Sequence, residues 1–183
     1  RRRTLLTAGL ITIGVVAMLL FVSAAGSFKR EMIGQITDSL LGHLQVHRKG
    51  YVASVDNLPL NLNIGAKMVE RVKTELASEP AIAATSVRLK LGAMFSNFTE
   101  TTSIRLNGID PEAEDGAAPG LRTRIVDGSR DGPLVAPGQL LIPDLIAKGM
   151  KVKVGDTVVL VATNRDGSVN GKNFTVRGVL EPV

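Results

Sequence analysis

The 183-residue chain has no Cys, and its six aromatic residues (Phe21, Phe28, Tyr51, Phe95, Phe98 and Phe174) include no Trp, so thiolate and disulfide chemistry are excluded and a base- or sugar-stacking platform is disfavoured. Of its 22 Lys and Arg, five (Arg1, Arg2, Arg3, Lys29 and Arg30) fall within residues 1–30, which hold no acid, and the remaining 17 are balanced by 17 Asp and Glu. A basic face for phosphates is therefore unsupported, no nucleic-acid partner is expected, and the net +5 reports membrane topology instead.

Thr4 to Phe28 is an uncharged run of 25 residues, mostly Leu, Ile, Val, Ala, Met, Phe and Gly. At ~1.5 Å per residue a helix of that length covers roughly 37 Å, more than the ~30 Å hydrocarbon core requires. A membrane span is expected over Thr4–Phe28, with Arg1, Arg2 and Arg3 retained on the cytoplasmic side, so that residues 1–28 form the first unit and everything beyond Phe28 lies across the membrane. A secretory signal peptide competes, because Ser23-Ala24-Ala25-Gly26 offers small residues after an apolar run. The run exceeds the ~7–15 residues of a signal h-region, and the sequence after Gly26 continues the same helix. Within the span Ala8, Gly9, Thr12 and Gly14 are small, and Gly9 and Gly14 are the candidates for close packing against other spans.

Past the span, Phe28, Met32, Ile33, Ile36, Leu40 and Leu41 recur at helical spacing while Lys29, Arg30, Glu31, Gln35 and Asp38 take the other face. An amphipathic stalk helix over residues 29–42 is expected, with Phe28, Met32, Ile36 and Leu40 as its coupling side, a lever between the bilayer and the remainder; a short docking helix is the alternative. Gly42 interrupts the pattern, and His43 to Lys49 alternates with period two, as in a half-buried strand. Asn63 can cap a helix whose apolar face is Ile64, Met68, Val69, Val72 and Leu76, with Pro80 just beyond it.

Ser86 to Met94 and Ser103 to Ile109 read as paired strands around the tip Ser96 to Glu100. Asp110 to Gly120, acidic and rich in Ala, Gly and Pro, reads as a loop, and Arg122 to Val126 as a short strand before the turn-rich stretch Asp127 to Pro133. Leu140 to Ile142 reads as a buried strand leading into a helix, Pro143 to Lys148. Thr157 to Ala162 and Phe174 to Leu180 then make a hairpin across Asn164 to Lys172. The predicted fold is α+β: an N-terminal transmembrane helix extended as a stalk, then a mixed α/β extracytoplasmic domain over residues 43–183 with a β-rich sub-lobe. The chain lacks an initiator Met and ends directly after a strand-like run, so a longer parent protein is expected.

Chemical motifs are sparse. His43 and His47 share a strand face but lack a third zinc ligand and a supporting carboxylate. Gly167 to Lys172 has its glycines one residue too close for a phosphate loop, and Asn173 stands where Ser or Thr should hold magnesium. No Gly-x-Ser-x-Gly elbow occurs, and Asn97-Phe98-Thr99 and Asn173-Phe174-Thr175 match a glycosylation pattern common by chance. No catalytic residue, cofactor site or metal site is expected.

The order of pieces carries a resemblance: the Arg-rich start and span, Gly42-His43-Leu44-Gln45-Val46, Leu106-Asn107-Gly108-Ile109-Asp110-Pro111, Leu141-Ile142-Pro143-Asp144-Leu145-Ile146-Ala147, Val152-Lys153-Val154-Gly155-Asp156-Thr157-Val158 and Phe174-Thr175-Val176-Arg177-Gly178-Val179. From end to end the chain resembles the first membrane helix and MacB-like periplasmic core domain of FtsX-type ABC transporter permeases, closest to the lipoprotein-releasing LolC/LolE group. The resemblance implies an inner-membrane permease half whose external lobes move when a separate ABC ATPase subunit, carrying ATP and Mg, closes. It further implies a second permease copy or homologue, with a lipoprotein, periplasmic chaperone or adaptor as further partners and three more spans downstream. It transfers no catalytic residue. A single-pass anchored envelope binding module is the main alternative, and an envelope hydrolase using His43 and His47 a distant third.

Overall fold

The computed structural model describes residues 2–164 and 166–182. Arg1, the first member of the topology cluster, and Val183, the last residue of the expected domain, lie outside them. Helix α1 spans Arg2–Ile36 and passes without a break into a π-helical turn, Thr37–Leu41, giving one helical rod of 40 residues. At ~1.5 Å per residue the rod is roughly 60 Å long, of which about 20 Å lies beyond Phe28. No residue of α1 is buried by the chain itself, as a long apolar helix made for lipid requires. Inside it Thr7 and Thr12 return their hydroxyls to the carbonyls of Arg3 and Ala8 at 2.9 Å, which satisfies these polar groups within the helix itself.

After Gly42, whose N–H closes the π turn on the Thr37 carbonyl at 2.9 Å, the chain is irregular. The strand expected from His43 to Lys49 is not formed. Alternation marks a face but supplies no partner, and among the described residues this segment pairs with no strand. Two 3₁₀ turns, Val52–Asn57 and Leu60–Leu62, lead to α2, Ala66–Ala77. This helix starts two residues later than Ile64, and its cap is Gly65 rather than Asn63, which stays extended at φ −70° and ψ 158°.

The strands gather into one six-stranded sheet of order β2-β1-β5-β6-β3, with β4 added parallel to β6. β1 (Arg88–Ser96) and β2 (Thr101–Ile109) form a regular hairpin from Arg88 opposite Ile109 to Ser96 opposite Thr101. β5 (Thr157–Thr163) and β6 (Val169–Leu180) form a second hairpin, tighter than expected because β6 begins at Val169 and Asn164 N–H already meets the Ser168 carbonyl at 2.7 Å. β4 (Gln139–Pro143) feeds α5 (Asp144–Gly149), with Pro143 as its cap residue.

Two sequence expectations are corrected between β2 and β4. Asp110 to Gly120 is not a loop: it holds α3 (Pro111–Ala117), and α4 (Gly120–Thr123) follows. Asp110 caps α3 by accepting the Ala113 N–H, Pro111 occupies the first turn, where its missing N–H costs nothing, and Glu112 and Glu114 meet the positive helix end. Arg122 consequently lies in α4, and the strand starts at Ile125 as β3 (Ile125–Gly128).

The main core lies between the sheet and the α5 segment, with Phe95, Val158, Leu160, Val176 and Val179 from the strands against Ala147, Met150 and Val152. Outside it Ala118, Ile125 and Leu134 are also buried, as is the one fully buried carboxylate among the described residues, Glu114, 1% exposed.

Candidate functional site

The sequence-derived residues divide into those that face outward and one that meets the domain. Arg2 and Arg3 open α1, and a Cβ built on Gly9 or Gly14 meets nothing within 4 Å. Phe28, Met32 and Ile36 remain exposed, so the apolar side of the stalk is not covered by its own domain. Leu40 is the exception through its backbone: the carbonyl oxygen accepts a hydrogen bond from Arg88 Nη1, at the start of β1. His43 and His47 make no pair. His43 Nε2 lies 3.4 Å from Asp38 Oδ1, while His47 bonds Gln45 Oε1 at 2.9 Å and stacks on Tyr51 with ring centroids 4.8 Å apart. Among the described residues no cluster of three or more His, Asp or Glu could hold a metal.

The junction where the stalk enters the domain holds a buried polar site. Glu114 is buried there, on the first turn of α3 just after its cap Asp110. Burying a carboxylate without partners costs several kcal/mol, and here both oxygens are engaged: Oε1 with Arg88 Nη2 in an ion pair, Oε2 with the Ser86 hydroxyl at 2.6 Å. The Arg88 guanidinium, 18% exposed, thus joins the last turn of the stalk to a buried carboxylate on α3. Beside it Ser39, the only buried residue of the π turn, fits against Gly120 at the start of α4. Gly116 brings α3 close to the segment before β1, since a Cβ there would stand 3.3 Å from that of Ala84.

A second group of arginines fastens the turn-rich stretch after β3. Arg122 pairs with Asp115 and donates to the carbonyls of Arg130 and Gly132, Arg130 Nε reaches the Ile125 carbonyl at 2.8 Å, and Arg177 Nη2 the Asp131 carbonyl at 2.6 Å. The hydrogen bond to Asp115 holds the Arg122 pKa above its ordinary value, whereas burial lowers that of Arg124. Most of their donors are thus held by Asp115 and by backbone carbonyls. An open depression of about 400 Å³ beside α5 presents Lys148, Lys151 and Lys153 with Asp127 and Asp144, but Lys148 is already paired with Asp144 at 2.7 Å.

Sequence reasoning missed Arg88, Glu114 and Gly120. The start signal Asp110-Pro111-Glu112 could have given α3, and with it an inward Glu114. Nothing local marks Arg88, whose partner Leu40 is 48 residues away.

The profile of the family described as MacB-like periplasmic core domain matches residues 4–183, nearly the whole chain. No curated protein matches it.

Proposed function

The chain belongs to the MacB-like periplasmic core domain family, and from that membership we propose that it is the segment of a permease subunit that turns ATP hydrolysis on a separate subunit into movement of its external domain. Family membership implies an ABC transporter of the FtsX/MacB/LolC kind, with a partner ATPase and a place in the inner membrane. The N-terminus is cytoplasmic, since Arg1, Arg2 and Arg3 precede the span without an acid among them. The chain is not itself an enzyme and binds no cofactor; ATP and Mg belong to the partner ATPase. A second permease copy or homologue completes the transporter, and the work done is release of a lipoprotein or export of another substrate, with a periplasmic chaperone or adaptor as receiver.

One observation carries this reading: the 40-residue rod is unbroken and ends clamped to the domain, through Ser39 against Gly120 and Leu40 against Arg88. A rod continuous from the cytoplasmic face to a fixed end transmits displacement; a tether needs neither continuity nor a clamp. Because the chain has no Cys, single cysteines at Val55 and Ser129 are clean reporters of orientation. Both are expected to react with a membrane-impermeant maleimide in intact spheroplasts, and the parent protein is expected to copurify with an ABC ATPase. Protection of both cysteines until the membrane is broken overturns the topology, and purification without an ATPase favours a single-pass anchored binding module.

A further inference from the structure

We infer that Arg88 is the positioning residue through which displacement of the stalk enters the sheet, an assignment that rests on the lever reading above. The last carbonyls of a helix have no partner inside it and form the negative end of its dipole, so a cation placed there grips the helix end itself. Arg88 supplies that cation from the first position of β1, with Nη1 on the Leu40 carbonyl and Nη2 on Glu114. A guanidinium holds its donors in a rigid planar fork, so the two acceptors are held in fixed relation; an ammonium is a point charge that satisfies one or the other.

The two anchorages differ in kind. Glu114 is buried, belongs to α3 and is held again by Ser86, so this prong is fixed to the domain. Leu40 belongs to the π turn, whose five residues carry a wider hydrogen-bond ladder than the helix before them, a form seen most often as single turns at functional positions. The clamp thus grips the helix end at the π turn itself and leads directly into β1. Five and seven residues along that strand, Ala93 and Phe95 are buried in the core, and Phe95 sits opposite Leu160 of β5. A pull on the Leu40 carbonyl thus acts on Arg88, on β1 and on the sheet centre without crossing a flexible segment.

The test uses spin labels on cysteines at Gln35 in the stalk and Ser103 on β2, in the full chain in nanodiscs, with Arg88→Lys as the variant. Lysine keeps a positive charge beside Glu114, so the buried carboxylate stays compensated and the fold is retained, while the bridge to Leu40 is lost. The expected result is one narrow distance peak in the parent and a broadened distribution in Arg88→Lys, with the thermal unfolding midpoint of the domain little changed. Arg105→Lys, which alters only an exposed pair with Asp56 at 4.0 Å, is expected to keep the narrow peak. In the complex with its ATPase, transport per ATP hydrolysed is expected to fall about tenfold in Arg88→Lys, the factor matching one charge-assisted hydrogen bond. A narrow peak in Arg88→Lys, or equal broadening in Arg105→Lys, overturns the assignment to Arg88 and leaves the lever reading standing. A broadened peak with undiminished transport per ATP overturns the lever reading itself.

Discussion

Gly120 and Ser39 meet with only a glycine's clearance: a Cβ at Gly120 would stand 2.7 Å from Ser39 Oγ and 3.1 Å from the Asp38 carbonyl oxygen. The hydroxyl can turn aside, but the Asp38 carbonyl belongs to the π turn and moves only with the stalk. Gly120→Ala is therefore expected to destabilise the domain by ~1–3 kcal/mol, the range for overpacking a fitted contact, and Gly120→Val by more. In urea the midpoint should fall with an unchanged slope. Adding Ser39→Ala should recover only part of the loss, since the backbone clash remains. A Gly120→Ala protein as stable as its parent would show that the stalk end is not held by α4.

Gly9 and Gly14 present the opposite situation, since a Cβ added at either would meet nothing within 4 Å among the described residues outside the helix's own backbone. A larger residue there disturbs no contact of the chain itself, so any defect belongs to neighbouring spans, where small residues permit close helix approach. Gly9→Leu and Gly14→Leu are expected to leave unfolding of the external domain unchanged and to lower recovery of the assembled complex from detergent extracts. Full recovery and activity in both variants would remove these glycines from the interface.

The tip of the second hairpin offers a titration. Asp166 Oδ1 accepts the Ser168 hydroxyl at 2.8 Å and the Ser168 N–H at 3.2 Å, and these bonds hold the Asp166 carboxyl below its ordinary pKa. With the folded-state value depressed, the stability the contact gives is present above the ordinary carboxylate range and is lost as the pH falls through and below it. Carboxyl NMR titration should find Asp166 low in the parent and shifted upward in Ser168→Ala. Identical titration curves would exclude the hydroxyl as the cause.

Elements fixed by their own neighbours in sequence were legible, and those fixed by distant partners were not. The rod to Leu41, both hairpins and the β4–α5 unit follow from apolar periodicity and turn residues that act over a few positions. His43 to Lys49 has the alternation of a strand and no sheet edge to receive it, a matter no local pattern records. In α3 the Ala, Gly and Pro content pointed to a loop, whereas Asp110 and Pro111 needed only to start seven helical residues that tertiary contacts then retain. The junction was least visible of all. Arg88 reaches Leu40 across 48 residues and Ser86 reaches Glu114 across 28, so the site exists only once the fold has brought α1, β1 and α3 together.

The stalk itself can be broken without touching the junction. Gln35 lies seven residues past Phe28 and is exposed on α1, where its side chain donates a hydrogen bond to Glu31 Oε1 at 3.3 Å. Proline there removes one intrahelical hydrogen bond and drives its ring against the Glu31 carbonyl, costing ~3 kcal/mol locally and kinking the rod. The sheet, α5 and the Arg88 clamp contain none of these atoms, so the domain should unfold at its usual temperature. Gln35→Ala is the control, since it keeps the helix and loses only the contact with Glu31. In a reconstituted complex Gln35→Pro is expected to hydrolyse ATP near the parental rate yet fail to release cargo, while Gln35→Ala performs both. Normal release by Gln35→Pro would mean that force does not travel through the rod, and the lever reading would fall.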